Sequence, residues 1–293
     1  MTWLWAVFTV IAAAGQTARN AMQRELTAKL GTVGATHVRF LFGCPFALIF
    51  LAGVLIAKEA PPPPTGIGFW AWILLGALSQ IFATALMLAA MGERSFVVAI
   101  VYTKTEPVQV AVFGLAFLGD PLNPTTAAAI LLATSGVVVM SWKPGAPGGL
   151  WPAVLGISAG SMFALAAIGY RGAILALHAD FVLAATFTLA VGLTVQAVLL
   201  SGYLALRTPA VLRAIALAWQ PSLFAGAMGA FASQFWFLAF ALTTAANVRT
   251  LALVEVLFAQ AVSHVAFKQP ATTREALGVL LVVAGVVLLI WAQ

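Results

Sequence analysis

Charge is what this chain has least of: Asp, Glu, Lys and Arg make up 8% of its 293 residues, against 63% hydrophobic. A water-soluble domain needs far more polar surface than that. Cysteine is nearly absent too, and the lone Cys44 excludes intrachain disulfides and thiolate metal sites. The three histidines (His37, His178, His264) are dispersed, the eight carboxylates are unclustered, and neither a Walker loop nor zinc-ligand spacing occurs. A polytopic enzyme acting on lipid-linked substrates needs such groups gathered where membrane meets water, and a channel needs a filter or a charged ring. Neither pattern is present, so no catalytic residue, metal or cofactor is expected. The formal charge of +6 comes from basic residues placed singly, which is no nucleic-acid signature. Met1-Thr2-Trp3 carries no basic n-region, so the first apolar run is expected to be retained and not cleaved.

What is present is hydrophobic length. Ten runs approach the roughly 20 residues that cross a bilayer: 3–22, 35–57, 68–91, 95–118, 124–142, 150–170, 179–202, 219–241, 247–267 and 274–291. The expected fold class is therefore all-α, a polytopic membrane protein of ten transmembrane helices with the lipid bilayer as its principal partner. Breakers mark the loops at Pro61–Pro64, at Asp120-Pro121 and from Lys143-Pro144-Gly145 to Gly149.

The chain also repeats itself. At an offset of 149, residues 121–142 match 270–291 at eight positions, among them Pro121/Pro270, Gly136/Gly285 and Trp142/Trp291, where chance gives ~2. Glu106 pairs with Glu255 and Trp70 with Trp219 at the same offset. Two five-span repeats follow, 1–145 and 146–293. Five is odd, so the second must enter the membrane from the opposite side, an organisation common in transporters. Ten of the 14 basic residues fall at odd-numbered loops, Arg19 and Arg39 among them. The positive-inside rule places those loops in the cytoplasm.

Polar residues inside apolar helices are costly unless they pair or line a cavity. In span one, Trp5, Thr9, Gln16, Asn20 and Gln23 share a helical face; in span three, Gly76, Gln80, Thr84, Met87 and Met91; in span four, Tyr102, Glu106, Gln109 and Phe113. Three such seams suggest a common wet space, although any one Gln or Thr serves equally well as a bond between packed helices. Shifted by 149, they become Ala225-Gly229-Ser233-Trp236-Phe240 and Leu251-Glu255-Phe258-Val262. A cavity faced by both sets is polar on one side and apolar on the other, which suits a hydrophobic amino acid. The expected substrate-binding residues are Gln16, Asn20, Gln80, Thr84, Met87, Tyr102, Glu106, Gln109, Ser233, Trp236, Phe240 and Glu255.

Glu106 and Glu255 admit two roles: ligands for a substrate ammonium or a proton, or structural partners of Lys104 and Arg249. Pro107 removes a helical hydrogen bond to the Thr103 carbonyl and is expected to kink span four. Arg249, sharing a face with Gln260, Ser263 and His264 and turned away from Glu255, can receive a carboxylate or snorkel to the interface. The small residues of spans five and ten (Ala127–Ala129, Gly136, Gly278, Gly285) can pack within a monomer or between monomers, so oligomeric state stays open.

Four short segments carry a family resemblance: His37-Val38-Arg39-Phe40-Leu41, Pro107-Val108, Leu118-Gly119-Asp120 and Gly136-Val137. With the five-plus-five repeat, the chain resembles the ten-helix EamA-type exporters of the drug/metabolite transporter superfamily. Gln16 through Asn20 look most like the YddG-type aromatic amino acid exporters. Asp120-Pro121 departs from the family's usual Gly-Glu turn, and the tryptophan-glycine signature of span one is missing. The resemblance implies a basket of helices around a central cavity lined by spans one, three, four, six, eight and nine. It further implies alternating access without ATP hydrolysis, and export of aromatic and other neutral amino acids across the cell inner membrane. A multidrug or other small-metabolite exporter is the alternative within the superfamily. The family keeps both termini in the cytoplasm, opposite to the side indicated by the basic loops.

Overall fold

Long apolar runs with few internal breakers dictate helices, because a chain in lipid must satisfy its backbone hydrogen bonds internally. The computed structural model describes residues 3–91, 102–141, 150–258 and 272–292, the side chains of 20–25, 88, 90, 91, 150 and 152 excepted. Every regular element among them is helical: α1 (Leu4–Lys58), α2 (Ile67–Met91), α3 (Glu106–Phe113, continued by a π-turn over Gly114–Leu118), α4 (Pro124–Ser141), α5 (Leu150–Ala176), α6 (Phe181–Arg207), α7 (Pro209–Leu217), α8 (Trp219–Leu242), α9 (Ala245–Leu251) and α10 (Thr273–Trp291). Among the described residues, seven helices are long and apolar enough to cross a membrane. The protein is an all-helical, multi-pass membrane protein. Large apolar side chains such as Ile49, Phe82, Leu131, Val198 and Leu280 stand exposed on these helices, as lipid-facing positions do.

Helix boundaries depart from the expected runs in several places. No loop separates the first two runs: α1 continues to Leu30, breaks only at Gly31 (φ 69°, ψ 175°) and resumes. A positive φ is open to glycine at little cost, so one residue does the work of the expected loop. The sixth run extends beyond residue 170 to Ala176. The short helix α7 lies between the seventh and eighth runs, where a loop was expected.

The chain forms two compact units. One comprises Met1–Val10, Phe82–Ile168 and Thr243–Gln293; the other comprises Ile11–Ile81 and Gly169–Leu242. Each takes helices from both sequence halves, so compactness follows a different division from the repeat.

In the first unit, α4 and α10 pack along their glycines. A Cβ on Gly136 would lie 2.7 Å from the Gly278 carbonyl oxygen and the Val282 nitrogen. One on Gly285 would lie 2.6 Å from the Ala133 nitrogen and 2.9 Å from the Ala129 oxygen. Ala129 and Ala133 stand 149 positions before Gly278 and Val282, so the two repeats exchange equivalent contacts. Position numbers rise along α4 as they fall along α10, so the helices run antiparallel. Ala133, Val137, Leu253 and Val282 form the adjoining core. The small faces of spans five and ten are thus used within one chain. Thr272 and Glu275 cap α10 reciprocally.

In the second unit, α6 packs on α8. Phe187 of α6 meets Phe69 of α2 with ring centroids 5.7 Å apart. Asp180 caps α6 by accepting from the Val182 and Leu183 amides, and it pairs with Lys58 at 2.6 Å. The hydrogen bond from Lys58 chiefly holds the Asp180 carboxyl below its ordinary value, with the two amides adding to the effect.

Candidate functional site

The first unit contains two interrupted helices related by the repeat. Residues 102–103 are helical, Lys104 and Thr105 form a turn, and α3 starts at Glu106. In the second half, α9 ends at Leu251, Ala252 and Leu253 form a turn, and 254–258 are helical again. Each break therefore lies just before one of the two matching glutamates. The kink expected at Pro107 falls slightly earlier. Pro107 occupies the first turn of α3, where its missing N–H has no helical partner to lose. Thr105 closes the break, its hydroxyl donating to the Tyr102 carbonyl at 2.6 Å and accepting from Gln109 Nε2 at 3.0 Å.

The acids are joined crosswise. Arg249 of α9 donates from Nε and Nη2 to the two carboxylate oxygens of Glu106, at 2.5 and 2.7 Å. Lys104 donates to Oε1 of Glu255. Each glutamate thus binds a cation from the other repeat. The acids are equivalent by position, but the bases are not: Lys104 precedes its neighbouring acid by two residues and Arg249 by six. The pairs also differ in burial, with side-chain exposures of 10% and 15% for Glu106 and Arg249 against 14% and 25% for Glu255 and Lys104. Arg249 therefore does not snorkel. The turn at 252–253 re-phases the helix, which breaks the face assumed for Arg249. Gln260, Ser263 and His264 lie outside the described residues.

The second unit holds a neutral polar network. The Tyr170 hydroxyl donates to Gln80 Oε1 at 2.8 Å, and Gln196 Nε2 lies 3.1 Å from both that oxygen and the Ala77 carbonyl. Ring contacts run onward from Tyr170 to Phe237 (4.6 Å), then to Phe240 and Trp236 (6.4 Å each). Arg171 donates to the Phe240 carbonyl at 2.6 Å. Gln80 and Trp236, placed by the sequence on opposing seams, are thereby linked through a continuous chain of side chains. Arg19 and Arg39 are buried, and both approach Gly229, where a Cβ would meet their methylenes at 3.4 and 3.6 Å. Two of the ten basic residues assigned to odd loops are consequently interior side chains.

Residues 3–142 match the EamA-like transporter family. The match ends at Trp142, the last residue of the first copy of the sequence repeat. No curated protein matches the chain. A solved structure described only as "Crystal structure of protein" is 15% identical, with a TM-score of 0.71 over 100% of this chain and 98% of its own. It shares the fold end to end.

The expected site residues divide between the units. In the first unit, Thr84 is buried, Met87 and Tyr102 are half-buried, and Glu106 and Gln109 follow the helix break; Glu255 joins them from the second sequence half. In the other unit lie Gln16 (half-buried), Gln80, Ser233 (buried), Trp236 and Phe240. The side chains of Asn20, Gln23 and Met91 lie outside the described residues. Thr9, expected on a wet seam, is buried and donates to the Trp5 carbonyl at 2.7 Å, the ordinary way a helix absorbs a threonine. Tyr170, Arg171 and Gln196 were missed. Gln196 is the one Asn, Gln or charged residue within the run from Phe181 to Leu206, a signal too isolated to form a seam. Tyr170 and Arg171 straddle the point where the sixth run was ended too early.

Proposed function

We propose that the protein is a small-molecule exporter of the drug/metabolite transporter superfamily, moving aromatic and other neutral amino acids outward across the cell inner membrane by alternating access. The observation that carries this reading is the pair of repeat-related helix breaks, each beside a glutamate bound by a cation of the opposite repeat. Broken helices at membrane depth are where transporters place substrate and coupling ions. The match of the first repeat to the EamA-like family supports the same class.

The two ion pairs take different parts. Glu106–Arg249, bidentate and the more buried, holds the repeats together. Lys104–Glu255 is the more exposed and offers one ammonium that a substrate α-ammonium replaces without change of net charge. Tryptophan, phenylalanine and threonine flux into proteoliposomes, with and without a pH gradient, tests the reading. Glu255→Gln is expected to abolish amino acid flux while the protein stays folded. Glu255→Gln with wild-type flux would remove the proposed role, and flux of cationic drugs in place of amino acids would favour the multidrug alternative.

A further inference from the structure

We propose that α7, with the residues flanking it, forms an interfacial site for an anionic phospholipid, Arg207 and Arg213 binding the headgroup phosphate. The helix has nine residues and is too short to span a bilayer, yet it connects two helices that are long enough, α6 and α8. It buries only Ile215 among its own residues. Val211, one turn earlier, packs where a Cβ on Gly34 of α1 would come within 3.1 Å. These two residues define the inner face of α7. Arg213 and Leu217, also one turn apart, are turned away from it by helical geometry.

The outward surface combines two features that neither water nor hydrocarbon accommodates alone. Leu206 and Leu217 are 87% and 86% exposed, and Trp219 is 53% exposed. Among them stand Arg207 and Arg213, both exposed. Neither makes an ion pair with any described residue, and no Asp or Glu occurs between Asp180 and Glu255. Apolar side chains so exposed favour acyl chains, whereas unpaired guanidinium groups are excluded from the hydrocarbon centre. Only the headgroup boundary satisfies both, and amphipathic helices with arginine beside leucine and tryptophan lie there. Guanidinium groups bind phosphate oxygens in bidentate fashion. With no described carboxylate paired to either arginine, the local charge favours a headgroup of net negative charge. Exposed apolar side chains also line α6 (Val198, Leu199, Tyr203) and α8 (Leu223, Phe224), so a bilayer lipid is the occupant.

The test uses the full-length protein in nanodiscs of phosphatidylcholine with and without phosphatidylglycerol. After mild delipidation, retained lipids are counted by native mass spectrometry. The wild type is expected to retain phosphatidylglycerol preferentially, with the retention ratio falling roughly fivefold for each arginine removed, in Arg207→Gln and Arg207→Gln/Arg213→Gln. Arg207→Lys/Arg213→Lys should keep most of the preference, and it serves if the glutamine variants fail to fold. A nitroxide at Leu217→Cys in a Cys44→Ala background should relax with both oxygen and an aqueous nickel reagent, as a headgroup-level position does. An unchanged lipid preference in the double glutamine variant would overturn the proposal. So would displacement of the lipid preference by soluble glycerol phosphate, or a nitroxide reporting bulk water only.

Discussion

Removing one partner of the Glu106–Arg249 pair is expected to be among the most damaging single changes available to this protein. The pair has two short charge-assisted hydrogen bonds, at 2.5 and 2.7 Å, and side-chain exposures of 10% and 15%. An exposed ion pair contributes ~0–1 kcal/mol. At this burial, the larger quantity is the cost of stranding the survivor. Glu106→Gln takes the bidentate partner from the interior Arg249 guanidinium and leaves only the weaker influence of Glu255, a loss that approaches the cost of a broken buried pair, about 3–5 kcal/mol. At an effective dielectric constant of ~20, the direct attraction over ~4 Å is about 4 kcal/mol, the same order. Glu106→Gln and Arg249→Gln should each destabilise by ~3 kcal/mol or more. The double variant, which buries no lone charge, should recover much of that, with a coupling of ~2 kcal/mol or more. The assay is reversible unfolding in mixed micelles, wild type, single and double variants side by side. Single variants that each cost under ~1 kcal/mol and add without coupling would refute the reasoning, because they would mean that water reaches the pair.

Other predictions concern separate parts of the fold. Gly136→Ala is expected to cost ~1–3 kcal/mol, because its Cβ would overlap the α10 backbone, while Gly53→Ala, facing open space, should be neutral or stabilising; equal melting behaviour of the two would contradict the packing described. Gln80→Leu, which leaves the Tyr170 hydroxyl without its acceptor, should cost ~1–3 kcal/mol, more than Tyr170→Phe, and the reverse order in chemical denaturation would argue against that network. The Asp180 carboxyl titrates below its ordinary 3.8 because Lys58 and the α6 amides favour its charged form. Its stabilisation is thus fully present above the ordinary value and lost as pH falls through the depressed one. The stability gap between wild type and Asp180→Asn should hold from neutral pH into the carboxylate range and close only on further acidification; closure near neutrality would contradict the pairing. In a Cys44→Ala background, Pro62→Cys should be shielded from an impermeant thiol reagent added outside cells and Gly148→Cys labelled, placing the termini in the cytoplasm. The opposite labelling pattern would support the basic-loop count.

Helix content and membrane class were legible because they rest on run length, a signal that survives without partners. α2, α4, α8 and α10 begin and end within a residue or so of the expected runs. The glycines shared by residues 121–142 and 270–291 likewise pointed to α4 and α10, where the close approach of two backbones leaves no room for a Cβ. Breaks and pairings were harder to see. Ala252 and Leu253 carry no turn chemistry, so nothing local announces the interruption before Glu255. Without that turn, a continuous helix directs Arg249 away from Glu255. Gly31 is a single residue, too little to distinguish a kink from a loop. Glu106 and Glu255 stood out as intramembrane carboxylates, and Lys104 and Arg249 were available as partners, but only the folded arrangement shows the crosswise choice. Gln196 is alone in its run, and its role depends on Tyr170 and Gln80, 26 and 116 positions away.

Counterflow of radiolabelled phenylalanine into proteoliposomes preloaded with unlabelled phenylalanine tests the central claim most directly. Wild-type protein is expected to accumulate label transiently above equilibrium, and Glu255→Gln, still folded by its melting curve, to lose that overshoot. Label uptake no greater than in empty liposomes, across phenylalanine, tryptophan and threonine, would contradict the amino acid exporter account.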